Sequence, residues 1–487
     1  MLNKLRRIVV IKLSKIIYTS LFIFSSVTFS QMIPTANEQK VDRLFSQYTT
    51  KDSPGAAIVI VKDGKIILKK EYGMADLEND IPITSSTVFH IGSVSKQFTG
   101  YSILLLEQQG KLNLNDDIRK YLPELPGFTS KITIRHLPNH TSGLRDNESL
   151  FALCGISTAD TYSNDNSMEL VKHQRELNFN PGNEIAYCNT GFILAAEIIE
   201  RITGKTLRDW TTKNIFQPLG MTNTQFNDDN TRIIKHFAPS YWEPDRTLLA
   251  KGILNSSNVG STGIITTTDD IAKWLIHFGD PKVGGKTTMN KLLTDTCFTN
   301  NGELVDYSYG IAVTKHEGIK VNFHSGSDAG YKAFNAYFPE YNFGVAVLSN
   351  FLSINAEELG FKIADIYLED KLIIEPTAEK QKVEQTTPNS NKVENYALSN
   401  KELKNYQGKY FSDELETQYT VVFRGDTLVM KHIRNGEILL VPISADKFAG
   451  QFPMMMVDIQ FIRDKKNNIE GFTASTRRAR NIFFKRL

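Results

Sequence analysis

Phe89 to Thr99 reads F-H-I-G-S-V-S-K-Q-F-T and places a serine, Ser93, three residues before a lysine, Lys96. On a helix, positions three apart share a face, so the two side chains can meet. The spacing alone proves little, because Ser444 and Lys447 share it and serine is also a common helix cap. A serine hydroxyl is a weak nucleophile and needs a base within hydrogen-bond reach. Lysine serves if it is neutral, which requires burial or nearby positive charge to lower a pKa of about 10.4. At the first turn of a helix, the positive end of the macrodipole pushes Lys96 that way. Backbone amides beside Ser93 would then face a developing oxyanion.

A tyrosine near the lysine would supply a second proton-transfer group. Two Tyr-x-Asn triplets exist, Tyr162-Ser163-Asn164 and Tyr187-Cys188-Asn189. The first lies among small polar residues. The second is framed by a Pro181-Gly182 turn and a following helical pattern, and catalytic groups need such supporting structure. A third mark, H-S-G at His324 to Gly326, has rivals in His277-Phe278-Gly279 and His316-Glu317-Gly318. His277 falls in a helical pattern and His316 in a hairpin turn.

With S-V-S-K, Y-C-N and H-S-G in that order, the chain resembles the serine β-lactamase and penicillin-binding superfamily. It is most similar to the class C β-lactamase, D-aminopeptidase and esterase branch. Y-G-M-A-D-L-E-N-D, K-Y-L-P-E-L-P, H-T-S-G-L, Q-P-L-G-M and G-I-I-T-T-T-D-D-I-A-K-W also look like family text, over roughly residues 40–370. The resemblance implies an α+β fold: an antiparallel sheet flanked by helices, a mostly helical subdomain, and a cleft between them. It implies Ser93 as nucleophile, with Lys96 and Tyr187 relaying its proton. The amides of Ser93 and Ser327 would form the oxyanion hole. Asn189, His324, Ser325, Gly326 and Ser327 would bind substrate. Many relatives carry lysine where this chain has His324, and a histidine is largely neutral near pH 7. That favours a D-amino-acid peptide, amide or ester over a β-lactam as substrate. A penicillin-binding-type carboxypeptidase, a weak β-lactamase, or a sensor or binding module are the alternatives.

The 487 residues, 41% hydrophobic and 23% charged, have an ordinary globular composition and length enough for two or more domains. Lys4, Arg6, Arg7, Lys12 and Lys15, with no acid, precede an apolar run from Ile16 to Phe29 and the small residues Thr28 and Ser30. Residues 1–30 therefore read as a signal peptide, and the protein as exported, periplasmic or secreted. An uncleaved anchor is the alternative, although the run is shorter than the roughly 20 residues that span a bilayer. Losing those five charges takes the formal net charge from +2 to −3, so nothing electrostatic points to nucleic acid. The expected partner is a small-molecule or peptide substrate, with no cofactor.

Three cysteines, Cys154, Cys188 and Cys297, make no disulfide framework. His136 and His140 are four apart, but Pro138 lies between them and no H-E-x-x-H follows, so no metal is expected.

A hydrolase domain is expected over 31–375. Ala56 to Tyr72 reads as two strands around an Asp63-Gly64 turn, and Tyr309 to Asn350 as three strand-like runs. Residues 139–186 read as loop. The polar tract 376–395 is expected to be a linker. Residues 396–487 follow as a small all-β barrel of lipocalin-like type, with turns at Gly425-Asp426 and Asn435-Gly436. Met454, Met455 and Met456 read as core filling.

Overall fold

The computed structural model describes residues 34–372 apart from 129, 246 and 247, together with residue 396 and residues 398–487. The expected signal peptide and linker fall outside the described residues.

The hairpin expected at Asp63-Gly64 is present. Strand Ala56–Lys62 pairs with Lys65–Tyr72 across that two-residue loop, whose φ angles of 50° and 74° suit a tight hairpin. On its other edge, Ala56–Lys62 pairs with Phe343–Ser349, so a hairpin from early in the chain is stitched to a strand from late in it. The complete sheet has seven antiparallel strands, ordered 307–308, 311–316, 319–328, 331–338, 343–349, 56–62 and 65–72.

Alternation along Ala56–Lys62 explains why it is buried on both faces. Ala57, Val59 and Val61 join one core, packed on helices Lys96–Gln108 and Thr268–Gly279. Ala56, Ile58 and Ile60 join a second, closed by helices Ala36–Leu44 and Ala356–Tyr367. Such a strand has no solvent face, so its register is strongly specified.

The sequence indicates three strands after Tyr309, and the structure has a further long one, Ile319–Asp328. Its first half alternates, but its second half is the polar run H-S-G-S-D, which carries no core signal. Residues 139–186 are also more ordered than expected. They contain helices Asn147–Leu153 and Asn164–Lys172, started by the side-chain caps Asp146 and Ser163. Helix Asn189–Thr203 follows and ends at Gly204, in the left-handed conformation with φ 65°.

Residues 408–486 form a closed eight-stranded antiparallel barrel, from Gly408–Ser412 to Ile482–Arg486, sealed where Tyr410 meets Arg486. Tyr406, Tyr410, Phe448, Phe461, Phe472 and Phe484 fill it. Leu150 and Leu153 of the helical subdomain pack against the same cluster, and the Tyr419 hydroxyl donates to the Leu153 carbonyl at 2.6 Å.

Arg145 ties the barrel to the preceding domain. Its guanidinium, about 2% exposed, donates to Glu414 Oε2 at 2.6 Å and to the carbonyls of Arg480 and Asn481 at 3.0 and 3.2 Å. Removing one partner of a buried pair strands the other charge. Arg145→Met is therefore expected to lower stability by about 3–5 kcal/mol. The check is urea unfolding of the full chain, where a loss below about 1 kcal/mol would show that the interface does not depend on this pair.

Candidate active site

Ser93 lies in a short 3₁₀ turn, Gly92–Ser95, that feeds directly into helix Lys96–Gln108. This brings Lys96 back over Ser93. The Lys96 Nζ lies 3.0 Å from Ser93 Oγ, 2.7 Å from Asn189 Oδ1 and 2.7 Å from the Ser261 carbonyl. The amide and carbonyl oxygens can only accept, so they occupy two N–H groups. A neutral amine then has its lone pair left for the Ser93 hydroxyl. Lys96 is fully buried, and that burial lowers its pKa to about 7. The Arg478 guanidinium pushes it the same way, while Glu148 and Asp146 oppose.

Tyr187 supplies the wall above this pair. Its ring centroid is 4.8 Å from Lys96 Nζ. Burial raises the tyrosine pKa, while a hydrogen-bonding contact with Ser93 pulls it back. The His140 ring stacks on Tyr187 at 4.3 Å, and its Nδ1 accepts from the Cys188 amide at 3.1 Å. Asn189 is the first residue of its helix and is held from behind, because its backbone N–H donates to Asp146 Oδ2 at 2.7 Å.

His324, Ser325, Gly326 and Ser327 form the opposite wall. The neighbouring strand 311–316 reaches only to Phe323, so from His324 onward this edge has no partner on that side and faces Ser93. Two glycines allow the approach. A Cβ on Gly326 would come within 2.1 Å of the Ile91 carbonyl and 3.2 Å of the Ser93 nitrogen. One on Gly92, where φ is +51°, would come within 2.9 Å of the Ser327 nitrogen. The amides of Ser93 and Ser327 are thus brought to the same mouth.

His324 itself is fully engaged. Its Nδ1 lies 2.6 Å from the Ser325 carbonyl and its Nε2 lies 2.8 Å from the Tyr307 hydroxyl. A carbonyl only accepts, so Nδ1 carries the proton and Nε2 accepts from Tyr307. Burial first, then the Lys96 charge, lowers its pKa to about 3. It is neutral at any physiological pH.

These residues line one cavity of about 620 Å³, together with Glu148, Lys332 and Arg478. Glu148 and Arg478 were not among the residues indicated by sequence. Arg478 comes from the barrel loop between strands Ile469–Ser475 and Ile482–Arg486, and its guanidinium carbon lies 4.7 Å from the Tyr187 ring centroid. The signal available was the basic run R-R-A-R at 477–480, with nothing to show where it would dock.

The rivals sit elsewhere. Tyr162 packs on Phe151, and Ser444 faces Lys447 across a barrel turn. His277 is buried in a helix, and His316 pairs with Asp365 at 2.7 Å. No group of His, Cys, Asp and Glu that could hold a metal is found among the described residues.

A family model described as Beta-lactamase matches residues 41–364. The chain belongs to the β-lactamase family. Protein flp of Staphylococcus aureus (strain N315) is 31% identical over 64% of this chain and 63% of its own length. The D-aminopeptidase of Brucella anthropi is 29% identical over 65% and 59%. The chain thus spans less than two thirds of either relative. The octameric penicillin-binding protein homologue from Pyrococcus abyssi shares the fold at a TM-score of 0.60 and 21% identity. It covers 92% of this chain and 99% of its own. The D-amino acid amidase from Ochrobactrum anthropi SV3 gives 0.59 and 20% identity over 69% and 99%.

Gly326→Ala is expected to force the strand away from Ser93 and slow fluorophosphonate labelling of Ser93 by about tenfold or more, since small displacements of reacting groups carry large rate costs. Unchanged labelling in a folded variant would show that the close approach is not required.

Proposed function

We propose that the protein is a serine hydrolase that acts through an acyl-enzyme on Ser93. The observation that carries this reading is the fully buried Lys96 amine, with two acceptor-only partners and Ser93 Oγ at 3.0 Å. Ser93 Oγ attacks a substrate carbonyl and its proton passes to the Lys96–Tyr187 pair. The oxyanion forms between the amides of Ser93 and Ser327. The proton then moves to the departing alcohol or amine, leaving the acyl group on Ser93. Water, deprotonated by the same pair, releases the acid. Asn189 holds Lys96, and His324 to Ser327 line the substrate as an edge strand.

The substrate class is a small ester, peptide or amide, with D-amino-acid derivatives ahead of β-lactams. Support comes from the uncharged His324, which offers no cation at the position where many relatives carry lysine, and from the D-aminopeptidase among the relatives. The basic and apolar N-terminal segment supports export.

Ser93→Ala is expected to abolish turnover and fluorophosphonate labelling, whereas Ser444→Ala leaves both nearly intact. Tyr187→Phe should cut acylation by roughly 10²–10⁴, and Tyr162→Phe should change little. Equal losses at Ser93 and Ser444 in folded protein would sink the assignment. A protein that labels but never turns over would instead be an acylated sensor.

A pH profile tests the base. Lys96 accepts a proton only when neutral, and burial has lowered its pKa to about 7. kcat/KM for an uncharged ester should therefore fall as pH drops through about 7. A flat profile between roughly pH 5 and 8 would exclude neutral Lys96 as the base.

A further inference from the structure

The cleft holds charges that the chemistry at Ser93 leaves unused. Arg478 is the one whose position is set most firmly. Its carbonyl accepts from the Asp146 amide at 3.0 Å and from Asn178 Nδ2 at 2.9 Å. Its own amide donates to Thr476 Oγ1 at 3.2 Å. The guanidinium plane is then supported on the Tyr187 ring. Among the described residues it has no hydrogen bond and no ion pair, so its fork of five donors is free.

Stacked against the tyrosine beside Lys96 and open to the cavity, such a group matches a carboxylate. We propose that Arg478, delivered into the cleft by the barrel, selects substrates that carry a carboxylate on the part that runs toward the barrel. This rests on the serine-hydrolase reading above.

Four other acidic or basic side chains line the same cleft, and one of them, Glu357, sits in the first turn of helix Ala356–Tyr367 and adds a carboxyl group. His324 is neutral and has both nitrogens engaged. Lys332 lines the cleft from the strand side, opposite Ser327, and burial lowers its pKa. Glu148, open to the cleft, would repel an anion when ionised, but the enclosing protein and then Asp146 raise its pKa to about 7. Of the cleft's cationic side chains, arginine alone presents a planar fork that can meet a carboxylate with two parallel hydrogen bonds. Beyond Arg478 the space continues into a groove of about 370 Å³ lined by Met454, Met455 and Met456, so the anion need not be the substrate's end.

The test compares three esters: p-nitrophenyl hexanoate, the p-nitrophenyl monoester of adipic acid, and the hexanoyl ester of a carboxylated p-nitrophenol. These place no carboxylate, one on the acyl side, and one on the leaving group. Wild type is expected to prefer one carboxylated ester in kcat/KM. Arg478→Gln should reduce that preference by about 10- to 100-fold, the scale of a charge-assisted hydrogen-bonded pair. Arg478→Lys should retain part of it, Lys332→Met should leave it in place, and Glu148→Gln should increase it.

Measuring Kd for the same esters by calorimetry in the Ser93→Ala background reads the preference without turnover. If wild type labels at Ser93 but shows no carboxylate preference in kcat/KM or Kd, the Arg478 proposal is overturned and the hydrolase reading stands. The proposal is equally overturned if Lys332→Met abolishes the preference while Arg478→Gln does not. If Ser93 fails to label yet the Kd preference tracks Arg478, the hydrolase reading falls instead, and the binding role of Arg478 stands.

Discussion

The structure is organised around one buried amine. Lys96 Nζ is removed from water and held by a side-chain amide, a backbone carbonyl and the Ser93 hydroxyl, each from a different segment. Burying an ammonium without a carboxylate partner is costly, and the molecule relieves that cost by letting the proton leave. The same burial that disfavours the charge thus favours the neutral amine. Ser261, Asn189 and Ser93 must all be in place for the nitrogen to be satisfied, so the sheet domain and the helical subdomain meet on a single atom.

Asp146 extends that constraint outward. One oxygen caps helix Asn147–Leu153, the other holds the amide of Asn189, and its own amide reaches the Arg478 carbonyl. Burial raises its pKa, and backbone N–H groups together with the Arg478 charge offset this. The barrel is therefore coupled to the lysine through three hydrogen bonds and the side chains of Asp146 and Asn189. Arg145 and Glu414 reinforce the same seam from within.

Much of the β-lactamase-family domain was legible because its signals are local. The Asp63-Gly64 turn, the alternation along Ala56–Lys62 and the framed Tyr187-Cys188-Asn189 triplet each declare themselves within a few residues. Strand Ile319–Asp328 was obscured in its second half, where residues facing a cleft have no apolar partner to advertise them. The helices in 139–186 were too short for periodicity to outweigh their polar caps. Met454 and Met456, expected in a core, are instead 63% and 54% exposed along the groove. Arg478 was hidden for another reason. Its neighbours Tyr187 and Asp146 lie some 300 residues earlier, and no local pattern records a contact made by docking.

The order of strands in the sheet has a kinetic consequence. The hairpin 56–72 finds its third strand only at 343–349, and most of the helices lie between. Pairing across so long a loop is slow, whereas helices with local contacts form early. The Ser93–Lys96 turn and helix Asn189–Thr203 have such local contacts, whereas the hairpin exposes an unpaired edge until it is closed, the hazard of an unfinished sheet. The approach of strand Ile319–Asp328 to Gly92 is likewise a contact between distant parts of the chain. The Ser327 amide is therefore placed by long-range closure, whereas the pairing of Ser93 with Lys96 is local.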